Sequence, residues 1–133
     1  MPQQPAENFD DIRDWLSDQG YLLSRRVRLL AFCSRHIRKE LVPEVQAYVN
    51  LCGSPINGPL YLHVEDSHLF PEACTIHLAR YPWVLSVYKT LKAERHKDRK
   101  NKAVARKMQV MYGLLFGYSG EDIHRYLERT GLL

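Results

Sequence analysis

The densest group of side chains able to move protons lies between residues 63 and 68. This segment places two histidines and two carboxylates within six residues: His63, Glu65, Asp66 and His68. Histidine and carboxylate groups carry out general acid–base catalysis when a pocket holds them together. Such residues also accumulate in surface loops, and the sequence has no phosphate-binding glycine loop, nucleophile elbow or helical zinc motif. We therefore expect a protein that is not an enzyme.

Two Cys-x-x-His pairs raise the question of a metal site. They are Cys33 with His36 and Cys74 with His77. Zinc takes four such ligands in a tetrahedron, and a two-residue gap allows both members of a pair to reach one ion. However, ligand pairs normally lie beside turns, whereas Cys33 and His36 fall in a long helical pattern, and buried cysteine is an ordinary core residue. Spacing alone leaves the question open, and we expect neither a metal nor another cofactor.

A strongly basic segment occupies the last third of the chain. Residues 89–107 contain nine lysines and arginines against two acidic residues, while residues 1–20 contain five acidic residues and one arginine. Concentrated positive charge can contact a polyanion, and binding to phosphates would then weaken steeply with salt. A solvated basic helix end is the alternative. No aromatic residues alternate with the bases of 95–102, which argues against single-strand recognition by stacking in that run.

The stretch from Gly113 to Leu127 is typical of one helix that ends and a second that begins at once. Gly117 suits the left-handed backbone position that ends a helix, because it has no Cβ to clash. Ser119 can cap the next helix, with Asp122 three residues later. This spacing of a small residue, glycine, serine, isoleucine and leucine resembles the helix-turn-helix of DNA-binding regulators.

The resemblance implies a first helix over about 103–116 and a recognition helix over about 119–129, with the helix from Pro82 as the third member of the unit. The early exposed residues of a recognition helix approach base edges in the major groove. Glu121 and Asp122 would stand there, and carboxylates repel phosphates. A purely structural corner needs the same glycine, serine and acidic residues, so both interpretations stay open.

The nucleic-acid hypothesis assigns contacts to the basic segment and to the last helix. The phosphate contacts would be made by Lys97, Arg99, Lys100, Lys102, Arg106 and Lys107. The groove would be approached by His124, Arg125 and Arg129.

These residues together predict a small non-enzymatic regulator that binds nucleic acid, and double-stranded DNA in particular. A domain of this size offers a modest footprint, so a homodimer that reads two half-sites is expected. The competing hypothesis is a protein-interaction adaptor or inhibitor that docks through a helical surface and does not bind nucleic acid. The acidic N-terminal helix, with Asp10, Asp11, Asp14 and Asp18, favours that alternative.

The elements that position these residues are predicted to be about six helices in one compact all-α domain. The domain spans 1–133, with a soft boundary at 53–59 and a C-terminal helix-turn-helix-like portion over 80–133. A helix capped by Asn8 or Asp10 is expected to stop at Gly20, and a longer one is expected over Ser24 to Leu41. The latter would gather basic residues on its polar face, namely Arg25, Arg28, Arg35 and Lys39.

Shorter helical segments are expected in the middle of the chain. One begins at Pro43 and ends at Gly53, and a helical turn from Pro71 runs through Cys74 and His77. Leu60–Val64 alternates too briefly to decide between a short strand and an irregular connection. The two tryptophans, Trp15 and Trp83, fall on apolar helix faces and are interpreted as core residues rather than stacking surfaces.

Composition limits the class of protein. The 133 residues are 45% hydrophobic and 26% charged, which is ordinary for a globular domain. No apolar run approaches the length of a membrane span, and the N-terminus lacks the order of a signal peptide. The three cysteines are an odd number, so reduced thiols in a cytoplasmic protein are expected.

Overall fold

A four-stranded antiparallel sheet lies between two groups of helices, so the all-α prediction is wrong. The computed structural model describes residues 3–53 and 58–133. The helices are α1 (Asp10–Ser24), α2 (Val42–Cys52), α3 (Pro82–Lys97), α4 (Lys102–Leu115) and α5 (Gly120–Arg129). The strands are β1 (Leu30–Phe32), β2 (Ile37–Arg38), β3 (Tyr61–Asp66) and β4 (Ala73–Ala79).

β4 is the central strand of the sheet. β3 pairs with it along one edge, while β1 and β2 pair with it one after the other along the opposite edge. All seven residues of β4 are buried, because helices cover both faces. The sequence of β4 alternates, with Thr75 and His77 between apolar residues, but the three-residue gap from Cys74 to His77 also fits a helical turn. The helical turn predicted from Pro71 through Cys74 and His77 is wrong, because Ala73–Ala79 forms strand β4. The undecided segment Leu60–Val64 largely belongs to strand β3.

The long helix predicted over Ser24 to Leu41 does not exist. α1 ends at Ser24, and Arg26 adopts a left-handed backbone conformation (φ 58°) that redirects the chain toward β1. One turn of 3-10 helix over Lys39–Leu41 follows β2 and leads into α2. Leu30 and Ile37 are buried, but from two different strands, so the basic helix face expected opposite them is not formed.

The helices on either side of this region agree with the sequence in part. α1 continues past Gly20 because that glycine is buried against α2: a Cβ on it would lie 3.1 Å from Cys52 Sγ. α1 begins after Phe9 without a side-chain cap from Asn8 or Asp10. The helix predicted from Pro43 is confirmed as α2. Part of the predicted boundary at 53–59, namely residues 54–57, lies outside the described residues.

The two faces of the sheet differ in chemistry. Ile76 and Leu78 of β4 pack with α1 and α2 in an apolar core. Their neighbours His77 and Ala79 point to the opposite face, where α3 and α4 pack, because alternate side chains of a strand leave on opposite faces. This second face carries the polar groups described below.

Candidate nucleic-acid interface and a buried polar cluster

The corner between α4 and α5 has the geometry that the sequence predicts. Gly117 has a φ of +83°, the N–H of Gly117 donates to the carbonyl of Leu114 (3.2 Å), and the N–H of Tyr118 donates to the carbonyl of Gly113 (2.9 Å). These two bonds form the Schellman motif that ends a helix. Ser119 Oγ then accepts from the N–H of Asp122 at 3.1 Å and caps α5.

Close packing holds this corner in place. A Cβ on Gly113 would lie 2.6 Å from Ile123 Cγ1, so α4 and α5 approach each other where α4 has no side chain. A Cβ on Gly117 would lie 2.5 Å from the carbonyl oxygen of Val27, in the loop between α1 and β1. Ile123 and Leu127 are the buried residues of α5. α5 is thus attached by one narrow apolar stripe and exposes the rest of its surface.

Most of the positive charge on the exposed surface of α5 is paired, and Arg129 is its one cation without an ion pair in the described residues. Arg125 pairs with Glu121 and lies 3.9 Å from Asp122, and His124 Nε2 lies 3.0 Å from Glu128. With Arg129 included, the exposed surface of α5 carries three carboxylates and two arginines. The three residues predicted to approach a DNA groove therefore lie on one helix, but most of their charge is neutralised by neighbours on that helix.

The basic segment forms the exposed tip of the α3–α4 hairpin. Asn101 caps α4 by accepting from the N–H groups of Ala103 (2.9 Å) and Val104 (3.3 Å), and its side-chain amide donates to Asp98 at 3.1 Å. The turn is therefore fixed by hydrogen bonds. We call the cations around it the basic tip. They are Lys97, Arg99, Lys100, Lys102, Arg106 and Lys107.

The basic tip has little compensating negative charge nearby. Lys107 is 3.4 Å from Glu94, and within the described residues none of the other five cations forms an ion pair. All six are exposed. The tip lies at the N-terminal end of α4 and the Gly117 corner at its C-terminal end, so they are about 20 Å apart along the helix. The predicted contact residues therefore divide into two separate groups.

A groove runs between α4 and α5 beside the corner. Its volume is about 550 Å³. Tyr112 of α4 and Phe116, which follows that helix, supply aromatic walls with Tyr118 and Tyr126, and Arg129 also lines the groove. This is the concave surface that an interaction partner would need.

A polar cluster lies between the sheet and α3, and we call it the buried polar cluster after its buried members, His77 and Tyr88. Its other members, His63 and Glu65, are half-buried, and Lys92 is exposed. His63 Nε2 and Glu65 Oε1 of β3 are 2.9 Å apart, and Lys92 of α3 pairs with the other oxygen of Glu65. His77 of β4 lies beside them, with its ring centre 4.3 Å from that of Tyr88. Of the predicted acid–base segment, only His63 and Glu65 enter this cluster.

The other two members of that segment point elsewhere. Asp66 is exposed and pairs with Lys39 at 3.3 Å. His68 is exposed and lies next to His36, with ring centres 5.5 Å apart. No local signal in the sequence identifies His77, Tyr88 and Lys92 as their replacements, since these residues come from another strand and a helix.

The environment of the cluster shifts its ionisation strongly. Burial alone would raise the pKa of the Glu65 carboxyl, but hydrogen bonds from Lys92 and His63 outweigh it and lower the pKa to about 2. Burial lowers the pKa of His77 to about 4. Burial also raises the pKa of Tyr112 of α4, whose ring centre lies 5.9 Å from that of Tyr88, to about 12. At neutral pH Glu65 is charged and His77 is neutral. Both states are fixed, which suits attachment of α3 to the sheet better than proton transfer.

The two Cys-x-x-His pairs are not assembled into one site. Cys74 and His77 are three residues apart on β4, so their side chains leave on opposite faces of the sheet. Cys33 is buried, while the Nδ1 of His36 lies 2.6 Å from Ser67 Oγ. Residues 3–53 and 58–133 contain no group of three His, Cys, Asp or Glu side chains arranged to hold a metal ion.

No protein-family model, no curated protein sequence and no solved structure matches this chain. Among the helices that the structure describes, none has the length and apolar character to span a bilayer.

Proposed function

We propose that this protein is a non-enzymatic regulator that binds nucleic acid, with duplex DNA as the ligand, through the basic tip of the α3–α4 hairpin. The observation that supports this most directly is a fixed turn carrying six exposed cations, with one ion pair among them in the described residues. Phosphates are the ligands that such a surface attracts, and each contact releases counterions. The acidic surface of α5 supports binding by the tip rather than reading of bases by α5.

The proposal predicts a salt dependence that the tip controls. The triple variant Arg99→Gln, Lys100→Gln, Lys102→Gln should bind a labelled duplex more weakly than the parent at about 50 mM salt. Each lost phosphate contact should also reduce the slope of log K against log salt by about 0.9. Fluorescence anisotropy at about 50 and 200 mM salt measures both quantities.

A matched variant distinguishes the effect of the basic tip on binding from the effect of net charge. Arg13→Gln, Arg38→Gln, Lys39→Gln removes the same charge from residues that already pair with carboxylates. It should keep most of the affinity and the slope. Equal losses in both variants would show that only net charge matters. No binding by the parent at about 50 mM salt would contradict the nucleic-acid function.

A second candidate function is supported by the groove between α4 and α5. The aromatic walls of Tyr112, Phe116 and Tyr126, with Arg129 also lining the groove, suit an apolar side chain beside a carboxylate on a partner protein. In that case the chain is an adaptor, and the ion pairs of α5 are part of its docking surface. If the parent protein does not bind a duplex at low salt, this alternative is favoured.

A further inference from the structure

A second basic surface combines arginines with aromatic rings at the N-terminal end of α3. The guanidinium carbon of Arg25 lies 5.0 Å from the centre of the Tyr21 ring, and Arg26 Nε donates to Tyr81 Oη at 2.8 Å. The Tyr81 ring is nearly parallel to that of Trp83, with centres 6.2 Å apart and an angle of 11°. We call these five residues the arginine–aromatic cluster.

The aromatic rings of this cluster are accessible. Trp83 is 51% exposed and Tyr21 is 59% exposed, so the interpretation of Trp83 as a core residue is wrong. Pro82 begins α3, which places Tyr81 at the N-cap and Trp83 in the first turn, outside the face that carries Val84 into the core. A large aromatic side chain held open to solvent beside cations is a surface on which a flat ring can stack.

Arg26 occupies a backbone position that favours glycine. It is a non-glycine residue with a positive φ, and its N–H and that of Val27 complete the turn that ends α1. An arginine there carries a conformational cost that glycine would not. Despite this cost the residue is an arginine, and its side chain is the one that donates to Tyr81. The hydrogen bond and the positive charge of Arg26 also lower the pKa of Tyr81.

The charge of this cluster has no counterpart in the described part of the chain. Arg80, outside the five residues of the cluster, is 3% exposed, and its guanidinium carbon lies 4.7 Å from the centre of the Tyr81 ring. Its Nε has no hydrogen-bond partner among residues 3–53 and 58–133. Neither Arg25, Arg26 nor Arg80 forms an ion pair among the described residues. The ligand that complements flat rings and uncompensated arginines is a base with its phosphate.

The position of the cluster relative to the basic tip fits one extended ligand. Trp83 and Lys97 are fourteen residues apart on α3, which places them within about 40° of each other on the helix surface and about 21 Å apart. A strand that leaves the cluster along α3 therefore meets the tip.

We propose that the arginine–aromatic cluster binds an unpaired base of single-stranded nucleic acid, with the base stacked on Trp83 and the flanking phosphates at Arg25 and Arg26. The inference rests on the proposed function only in that both ligands are nucleic acid. The chain then holds phosphates at the tip and an unpaired base at the cluster. This arrangement suits a junction between duplex and single strand.

Tryptophan fluorescence tests this directly. The chain contains two tryptophans, so a Trp15→Phe background leaves Trp83 as the reporter. A ten-residue oligothymidylate should quench Trp83 at about 50 mM salt, whereas a blunt duplex of equal charge should quench it little. Replacing the stacking surface by Trp83→Leu in the parent should weaken binding of a labelled oligothymidylate roughly 5- to 150-fold.

Arg26→Gly separates function from folding. Glycine is favoured at this φ, so the variant should unfold at the same temperature as the parent or higher. It should nevertheless bind oligothymidylate more weakly, with the salt slope reduced by about 0.7, as for one phosphate contact to a single strand. Arg13→Gln, which removes an exposed cation from α1, is the control and should bind as the parent does.

The outcomes distinguish this proposal from the proposed function. The triple variant of the tip should lose duplex binding but retain quenching of Trp83. Absence of quenching in a folded protein, equal quenching by duplex and single strand, or an Arg26→Gly variant with parental affinity would each overturn the cluster proposal. None of these results depends on whether the tip binds a duplex.

Discussion

His77 is a buried residue whose Nδ1 has no hydrogen-bond partner in the described part of the chain, and it lies beside charged groups that are well paired. Glu65 uses both oxygens in contacts with His63 and Lys92, so its charge stabilises the contact between β3 and α3. Protonation of His77 would add an uncompensated charge under that contact. At the residue scale, this histidine is therefore the weak point of the second core at low pH.

The free energy of unfolding should decrease as the pH is lowered from about 6.5 to 4. Over this range the unfolded chain binds a proton at His77 that the folded protein does not, because the folded pKa is about 4. Above pH 6.5 the titration of His77 does not reduce the free energy of unfolding. At pH 4 it should reduce the free energy of unfolding by about 3 kcal/mol. Urea unfolding at pH 7, 5.5 and 4 measures the change.

His77→Gln identifies the group responsible. Glutamine does not titrate, so the variant should show a flatter dependence between pH 6.5 and 4, whatever its stability at pH 7. His124→Gln, which removes an exposed histidine of α5, is the comparison variant, and its slope should remain steeper than that of the His77 variant. A parental slope in the His77 variant would assign the acid sensitivity to other groups.

At the scale of elements, the Gly117 corner is the best-defined connection in the C-terminal half. It provides hydrogen bonds to backbone carbonyls at the end of α4, caps the start of α5 and packs against the loop after α1. Its glycine is needed for two separate reasons: the left-handed backbone and the absence of space for a Cβ beside the Val27 carbonyl. These two requirements can be separated by experiment.

Gly117→Ala should destabilise the protein more than Gly131→Ala. Both glycines have a positive φ, but a Cβ on Gly131 meets nothing within 4 Å. The left-handed conformation costs alanine about 1–2 kcal/mol. Gly117→Ala should lose more than this, because a backbone carbonyl lies where the Cβ would be. Thermal and urea unfolding compare the two variants, and equal losses would mean that the Val27 loop moves aside.

The sequence predicts elements where local signals define them. Pro82, the Gly117 turn and the Ser119 cap lie within a few residues of the helix ends they specify, and α3, α4 and α5 are found near the predicted positions. β4 was not recognised although Thr75 and His77 alternate with apolar residues, because the same short segment also fits a helical turn. β1 has three residues and β2 has two, which is too few to distinguish strand alternation from helical spacing, so their apolar residues matched a helix by coincidence.

The candidate sites were predictable to different degrees. The basic tip is continuous in sequence and was predicted residue by residue, although its ligand is a proposal. The buried cluster and the arginine–aromatic cluster join residues that are 27 to 55 positions apart, such as Glu65 with Lys92 and Arg26 with Tyr81. Contacts of that kind depend on strand register and helix docking, which a single sequence does not express.

At the scale of the whole molecule, the layer formed by α1 and α2 should protect two thiols. Cys33 and Cys74 are buried beneath it, whereas Cys52 is half-buried on α2. Burial raises the pKa of all three thiols, so the difference in reactivity should follow from accessibility. Cys33 and Cys74 should react with a disulfide reagent at least roughly tenfold more slowly than Cys52 in the native protein. All three should react quickly in denaturant.

Cys52→Ser provides the control for that measurement. It should remove the faster phase and leave the two slow thiols. Three equal and rapid rates in the native protein would show that this layer opens readily.

The central position of β4 also determines when the protein can fold during synthesis. Among the described residues, β4 is the one strand of the sheet with which β1 and β2 pair, and it ends at Ala79. The edges of β1 and β2 that face β4 therefore stay open while about 47 further residues are added after Phe32. At ordinary elongation rates this is a delay of a few seconds. During that time the N-terminal half offers helices without a sheet to cover. A nascent chain stalled before residue 73 should therefore be a substrate for chaperones rather than a folded intermediate.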